Sequence, residues 1–246
     1  MAQKVTIITT TYNDGEHLEE VAQSVYSQDY ENIEYIIVNG GDDAKTDEVI
    51  EKVRNLFGDR LKVIKEHDKG IYDAINKGIR AATGDIIGCC FDFYASDNVI
   101  SRFVDIIEKE GTDGVHADLN YVKDGRIVRH WHQGTGSIRS GWMPGHPTLY
   151  LKRKIYKKFG LYKEDYKVAA DYEFMVRILG RKKVRLSYIP EVMINMNYGG
   201  TSNNSFGAYM LSLKEGHRAL KENDISFACV TDALRIVRVL TQFSVR

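Results

Sequence analysis

Residues 5–13, VTIITTTYN, and residues 33–39, IEYIIVN, are two β-branched runs that each end in polar residues. Between them, residues 18–27, LEEVAQSVYS, place Leu18, Val21, Ala22 and Val25 at helical spacing. The same alternation continues outward. Thr46–Phe57 reads as a helix with Val49, Ile50, Val53 and Leu56 on one face. Leu61–Ile64 reads as a strand, Tyr72–Ala82 as a helix and Ile86–Phe91 as a fourth strand. Strands alternating with helices predict a parallel sheet with right-handed crossovers, and such sheets bind ligands at the carboxyl ends of their strands.

The later chain has a different rhythm. Ser101–Glu110 reads as a helix, and Val115–Tyr121 and Ile127–His132 as a hairpin turning at Lys123-Asp124-Gly125. A glycine-rich loop, Gly134–Gly145, precedes a short strand at Leu149–Leu151. A helix over Asp171–Leu179 and strands at Val184–Ile189 and Val192–Met196 follow. The tail, Ser205 to Arg246, reads as two helices divided near Asn223-Asp224.

Composition bounds the function. The 246 residues carry 34 Lys plus Arg and 34 Asp plus Glu, a net charge of zero, which argues against a dedicated nucleic-acid binder. Cys89, Cys90 and Cys229 form no C-x-x-C pair and make a poor disulfide framework, as expected in a reducing compartment. The first residues show no signal-peptide pattern, and no run reaches the roughly 18 apolar residues of a membrane span. The expectation is a cytoplasmic protein.

Four strand ends carry donors and carboxylates: Thr9 to Asn13, Asn39 to Asp43, Glu66 to Gly70, and Phe91 to Tyr94. Any one of them is ordinary polarity at a strand end; four together predict a ligand rim. Neither G-x-G-x-x-G nor G-x-x-x-x-G-K-[ST] is present, so a loop cradling phosphates is not expected. Side chains suit a nucleotide instead. Thr10 belongs to this rim, Tyr12 offers a ring for the base, and Asn39, Asp42 and Asp68 offer hydrogen bonds, with Lys69 beside them. Asp92 suits a divalent cation that neutralises a diphosphate. Asp171 opens a helix, where it is either a cap or a general base. His130 and His132 flank Trp131 on a strand and lack a third ligand, so they read as ordinary. Arg235, Arg238 and Arg246 alternate with apolar residues, which describes either a helix on an anionic membrane, or one packed on the domain or against a second copy.

These residues resemble the family-two inverting glycosyltransferases of GT-A fold. The resemblance rests on Val5 to Asn13, on Asp68-Lys69-Gly70-Ile71-Tyr72-Asp73-Ala74-Ile75-Asn76-Lys77-Gly78 and on Ala82 to Gly88. It continues in Gly145-His146-Pro147-Thr148, Ala170-Asp171-Tyr172-Glu173 and Gly199 to Asn203, and so covers roughly residues 4–205. It implies an α/β fold with a Rossmann-like, mostly parallel central sheet flanked by helices, and a helical C-terminal tail. It implies a GT-A domain over residues 1–204, with a nucleotide half to about residue 98 and an acceptor half from 99, then an extension over 205–246.

The implied activity is hexose transfer from a UDP-sugar, UDP-glucose or UDP-galactose, with Mn²⁺ or Mg²⁺ as cofactor. The implied acceptor is a sugar on a lipid diphosphate, as in O-antigen or other surface-polysaccharide (lipopolysaccharide) synthesis, which would bring the chain to the inner membrane face. Asp171 is the implied base, Asp92 the implied metal ligand, and His146, Trp142 and Glu173 the acceptor candidates. Two departures stand out. Asn39 stands where the family has Asp, and the loop Gly88 to Tyr94 is two residues short, leaving Asp92 or, by another alignment, Asp97 as its carboxylate. The shortened loop favours the rival expectation of an impaired nucleotide-sugar-binding or scaffold protein. A nucleotidyltransferase would need a basic glycine-rich first loop that is missing.

Overall fold

The computed structural model describes residues 2–180, 184–198, 206–241 and 243–244. The alternation read from the sequence is present. Strands β1 (Val5–Thr11), β2 (Ile33–Asn39), β3 (Leu61–Lys65) and β4 (Ile86–Cys89) alternate with helices α1 (Gly15–Tyr26), α2 (Ala44–Phe57) and α3 (Ile71–Ala81). They pair in parallel in the order β3-β2-β1-β4. β1, β2 and β4 are almost wholly buried because helices cover both faces, which explains their continuous apolar runs. One face packs Val21, Val25, Val49, Val53 and Phe57, and the other packs Ile75, Ile79 and Tyr156.

Beyond β4 the sheet is mixed. The pair β5 (Phe93–Tyr94) leads into α4 (Val99–Glu110) and the long strand β6 (Gly114–Lys123). β6 turns at Asp124-Gly125, both at positive φ, into β7 (Arg126–Trp131), so the hairpin stands as expected. β8 (Tyr150–Lys152) bridges β4 and β6, antiparallel to both. A helix that the sequence reading passed over, α5 (Arg153–Phe159), leads toward α6 (Ala170–Leu179). The two late strands form one, β9 (Leu186–Asn197), parallel to β6. Its register shifts where Ala117 faces Ile189 and Asp118 faces Val192, skipping Pro190, which has no N–H to donate, and Glu191.

The tail forms α7 (Phe206–Glu222) and α8 (Ala228–Thr241), then β10 (Phe243–Ser244), which pairs with β7. α7 is tied to α6: Glu215 accepts from the N–H groups of Lys167, Val168 and Ala169 at 2.8, 3.0 and 3.0 Å. The expected boundary at 204/205, the Gly199–Asn203 motif and Arg246 lie outside the described residues.

Candidate active site

The strand ends meet through two glycines. A Cβ on Gly40 would lie 1.8 Å from Asp68 Oδ2, and one on Gly41 would lie 2.1 Å from Asn13 Oδ1, so only glycine lets the end of β2 approach its neighbours this closely. Asn13, at φ 53°, accepts from the N–H groups of Asp42 and Asp43 at 3.0 and 3.3 Å. Asp43 in turn caps α2 through Thr46 N at 2.9 Å. Asp68 Oδ1 accepts from Gly70 N at 3.0 Å and shapes the turn into α3.

These contacts open a cleft of about 720 Å³ at the carboxyl edge of the parallel strands, with Thr10, Tyr12, Asp68 and Asp92 on its wall. Tyr12 is 63% exposed, so its ring presents a face to solvent and to the cleft. It also borders a hollow of about 320 Å³ lined by Gly40, Gly41, Asp42, Lys65, Glu66 and His67. Asn39 lies behind this edge rather than on it. It is fully buried, and its Oδ1 accepts from Gly41 N at 2.9 Å. Lys69 is exposed, with its backbone N–H on Asp73 at 3.0 Å, and it lines neither space.

Asp92 follows the end of β4 in the short link to β5. Pairing of β5 with β9 carries it against Asn197, whose N–H donates to Asp92 Oδ1 at 2.9 Å. Burial pushes this carboxyl above the usual carboxylate range, against the pull of the Asn197 bond and of His17. His17, in the first turn of α1, donates Nε2–H to the Phe91 carbonyl at 2.7 Å and shares the cleft wall. Asp97 is elsewhere. It lies near the far end of α1, where its carbonyl accepts from Asp29 N at 2.7 Å, about 18 Å along a 12-residue helix from the cleft.

Asp171 stands half-buried in the first turn of α6, joined to the α3 side of the cleft through Tyr72. The residue before the helix is Ala169, so Asp171 is not the cap. Its Oδ1 accepts from the Tyr72 hydroxyl at 3.1 Å. Burial and the Asp171 charge both push the Tyr72 phenol up, which keeps it a donor. Tyr72 lies over Tyr162 with centroids 6.0 Å apart, and Tyr162 shares a 2.8 Å hydrogen bond with His146 Nε2. His146 stacks on Phe91, itself part of the cleft wall, at 6.0 Å. Burial pushes the His146 imidazole below its ordinary value, partly offset by Asp171, so the ring is neutral at pH 7. Asp171 and Asp92 are thus linked through Tyr72, Tyr162, His146 and Phe91.

Two acceptor candidates lie away from this cleft. Trp142 is 5% exposed, donates Nε1–H to the Gln133 carbonyl at 2.8 Å, and lines a separate hollow of about 280 Å³ with His116 and Leu186. Glu173 is fully buried and pairs with Arg177 at 2.8 Å and Lys163 at 3.1 Å. Two residues, just over half a helical turn, rotate it from Asp171 toward α7. His132 contacts buried Asp118 at 3.0 Å, and Trp131 packs on the core.

The sequence reading missed Asp14, His17, Ile71 and Met196 to Tyr198 on the wall. For Asp14, His17 and Ile71 a signal existed: a helix begun at a strand end aims its first turn at the same rim. Met196 to Tyr198 gave none, since β9 reaches the rim only by pairing with β5 and β6. Among the described residues no cluster of three His, Cys, Asp or Glu forms a ready-made metal site. A single carboxylate in a partly dry cleft fits Mg²⁺ or Mn²⁺ if phosphate oxygens and waters complete the shell.

Comparison with known proteins agrees with this architecture. The profile described as Glycosyl transferase family 2 matches residues 6–182. The PGL/p-HBAD biosynthesis glycosyltransferase of Mycobacterium bovis (strain BCG / Pasteur 1173P2) is 28% identical over 216 residues, 82% of this chain and 80% of the relative. Its counterpart in Mycobacterium tuberculosis (strain ATCC 25177 / H37Ra) matches with the same figures of 28%, 82% and 80%. In fold, the chain is similar to S. aureus TarS 1-349 in complex with UDP, with TM-score 0.74 and 18% identity over 97% of this chain and 72% of that one. It is also similar to the mannosyltransferase PcManGT from Pyrobaculum calidifontis in complex with GDP-Man and Mn2+, with TM-score 0.62 and 17% identity over 100% of this chain and 77% of that one. With 177 of its 246 residues inside the matched span 6–182, the chain belongs to glycosyl transferase family 2.

Proposed function

We propose that this chain is an inverting hexosyltransferase that uses a UDP-sugar and a sugar acceptor carried on a lipid diphosphate, in the synthesis of O-antigen or another surface polysaccharide. The observation that carries the reading is the cleft that brings Tyr12, Asp68 and Asp92 together, with half-buried Asp171 joined to its α3 side by Tyr72. Binding of UDP, UDP-GlcNAc and GDP-Man by fold neighbours supports a nucleotide-sugar donor. Tyr12 would stack on the base and Asp68 and Asp42 would take ribose hydroxyls, while Asn39 acts from behind by fixing Gly41.

Asp171 accepts the proton of the acceptor hydroxyl. That oxygen forms its bond to the anomeric carbon as the bond to the diphosphate breaks on the opposite face, inverting the centre. No covalent enzyme intermediate is needed. Tyr72 orients the carboxylate, and neutral His146 keeps a second positive charge out of the base's surroundings. Asp92 would hold Mn²⁺ or Mg²⁺, which supplies countercharge for the leaving diphosphate. Its raised carboxyl is ionised most readily with a cation beside it, and of the two loop carboxylates only Asp92 reaches the cleft.

The test is a screen of UDP-hexoses against a lipid-diphosphate-sugar acceptor, with the product linkage read by NMR. Transfer is expected with Mn²⁺ or Mg²⁺, lost in Asp92→Ala and kept in Asp97→Ala. Full activity in excess EDTA would overturn the metal role, and donor binding without transfer to any acceptor would favour an impaired binding protein.

A further inference from the structure

The sequence puts Arg235 and Arg238 among apolar residues on α8, which leaves open whether this helix faces a membrane or packs on the domain. The structure turns Arg235 toward the domain. Arg235 lies inward over the Tyr172 ring at 4.5 Å, with 14% of its side chain exposed. Asp232 is bound to His217 at 2.6 Å, and buried Thr231 donates to the Arg139 carbonyl at 3.3 Å. The outward side chains are Phe227 at 81% exposure, Val230 and Val237 at 55%, and Leu234 and Ile236 at 41%. Residues 227, 230, 234 and 237 follow the spacing of one helical stripe. The helix is amphipathic in reverse, with Thr231, Asp232 and Arg235 facing the domain and the apolar stripe facing water.

Phe227 marks the stripe as more than accident. Its carbonyl accepts from Val230 N at 2.9 Å and Thr231 N at 3.1 Å, so it occupies the cap of α8. It does so at φ 59°, a left-handed conformation that favours Gly or Asn and is strained for a bulky side chain. Buried Ile225, two residues earlier, anchors the turn, so Phe227 is held outward. A fold choosing only for stability would place a small polar residue here.

We propose that the outward face of α8 is a docking surface for a lipid bilayer. The five side chains offer roughly 400–500 Å² of apolar surface, the size of a functional patch but about half of the 800 Å² per partner that a stable dimer buries. The five side chains themselves carry no charge that would select a protein partner, and Arg238, one turn beyond Leu234, is half-buried at their edge. Exposed Arg139 borders it, where a cation meets headgroup phosphates. Pairing of β10 with β7 immediately after the helix pins α8 along the flank, so the stripe lies flat rather than projecting. Binding is then apolar rather than electrostatic, and salt does not release it. The surface stands whether or not the acceptor is lipid-linked: a chain that binds vesicles yet uses a soluble acceptor loses only that assignment.

Cys229, exposed on the same helix, is the reporter, because Cys89 and Cys90 are buried with thiols pushed up to about 12. The full chain, labelled there with an environment-sensitive fluorophore, is titrated with phosphatidylcholine vesicles at low and high salt. Unlabelled chain is cosedimented in parallel. A saturable blue shift and pelleting, both retained in high salt, are expected. Phe227→Asn should lower vesicle affinity about tenfold, from the apolar burial it removes, while its melting temperature holds or rises. Leu234→Gln, at an ordinary exposed helix position, should weaken binding likewise. Absence of pelleting, or binding that needs anionic lipid and is lost in salt, overturns the proposal. So does a blue shift that follows protein concentration without vesicles, which would make the occupant a second copy. Parent-like binding by both variants also overturns it.

Discussion

At the scale of the residue, the two carboxylates of the site are set apart by environment. Asp171 is held by one phenol in the first turn of a helix. Asp171→Asn keeps the Tyr72 contact and removes the basicity, so turnover should fall by about two to four orders of magnitude. UDP binding measured by calorimetry should stay near that of the parent, and near-normal turnover would remove Asp171 from the chemistry. Asp92 is strained electrostatically instead. Its folded carboxyl lies above its unfolded value, so above both values the buried charge costs stability, and that cost fades as pH falls through the raised value. Asp92→Asn should therefore raise the melting temperature at neutral pH in EDTA, converge with the parent in acid, and lose transfer. A lower melting temperature at neutral pH would contradict the desolvation argument.

At the scale of the element, α6 is positioned by the tail. The last three N–H groups before its first full turn converge on one Glu215 carboxylate, 7% exposed. Farther along, Glu173 accepts from Asn223 at 3.2 Å, and Lys163 joins Glu173 to Glu222. The helix bearing the proposed base thus leans on α7 and the turn after it through its own first turn. Glu215→Ala leaves part-buried and buried N–H groups unpaired and should cost about 2–4 kcal/mol in urea unfolding. Turnover should fall while the donor KM holds, since β1 to β4 build the donor cleft without α7. An unaltered unfolding midpoint would show that water replaces the cap.

At the scale of the whole molecule, the joint between the parallel and mixed halves buries histidines. His116 stacks on Tyr188 at 5.0 Å, bonds Gln133 at 3.3 Å, and burial lowers its pKa to about 4. His146 is lowered for the same reason. Both folded values lie below the unfolded one, so the unfolded chain binds more protons as pH falls below about 6.5. Stability is then complete above that pH and falls by up to about 1.4 kcal/mol per pH unit for each histidine, with the His116 share spent near pH 4. Unfolding midpoints between pH 7 and 4.5 should show this slope, and His116→Gln should remove about half of it. A flat profile in the parent would place neither imidazole under a burial penalty.

How much was legible depends on whether a signal is local. Strand–helix alternation, the Asp124-Gly125 turn, the division of the tail and the rim at Tyr12, Asp68 and Asp92 follow from period and turn chemistry within a few residues, so the sequence alone determined them. The direction of a side chain around a helix or beneath a sheet depends on what packs there. Asn39 sits at a strand end yet faces inward because Gly41 claims its oxygen, and Glu173 follows Asp171 by two residues yet serves α7. Trp142 looks available to the rim from its glycine-rich loop, yet its bond to Gln133 holds it at a separate hollow. Arg235 fits either a membrane-facing helix or one packed on the domain, and the Tyr172 ring decides for packing. Met196 to Tyr198 reach the cleft through strand pairing across about a hundred residues of chain. These placements are contacts between segments distant in sequence, and only tertiary packing, which buries one face and leaves another wet, could decide them.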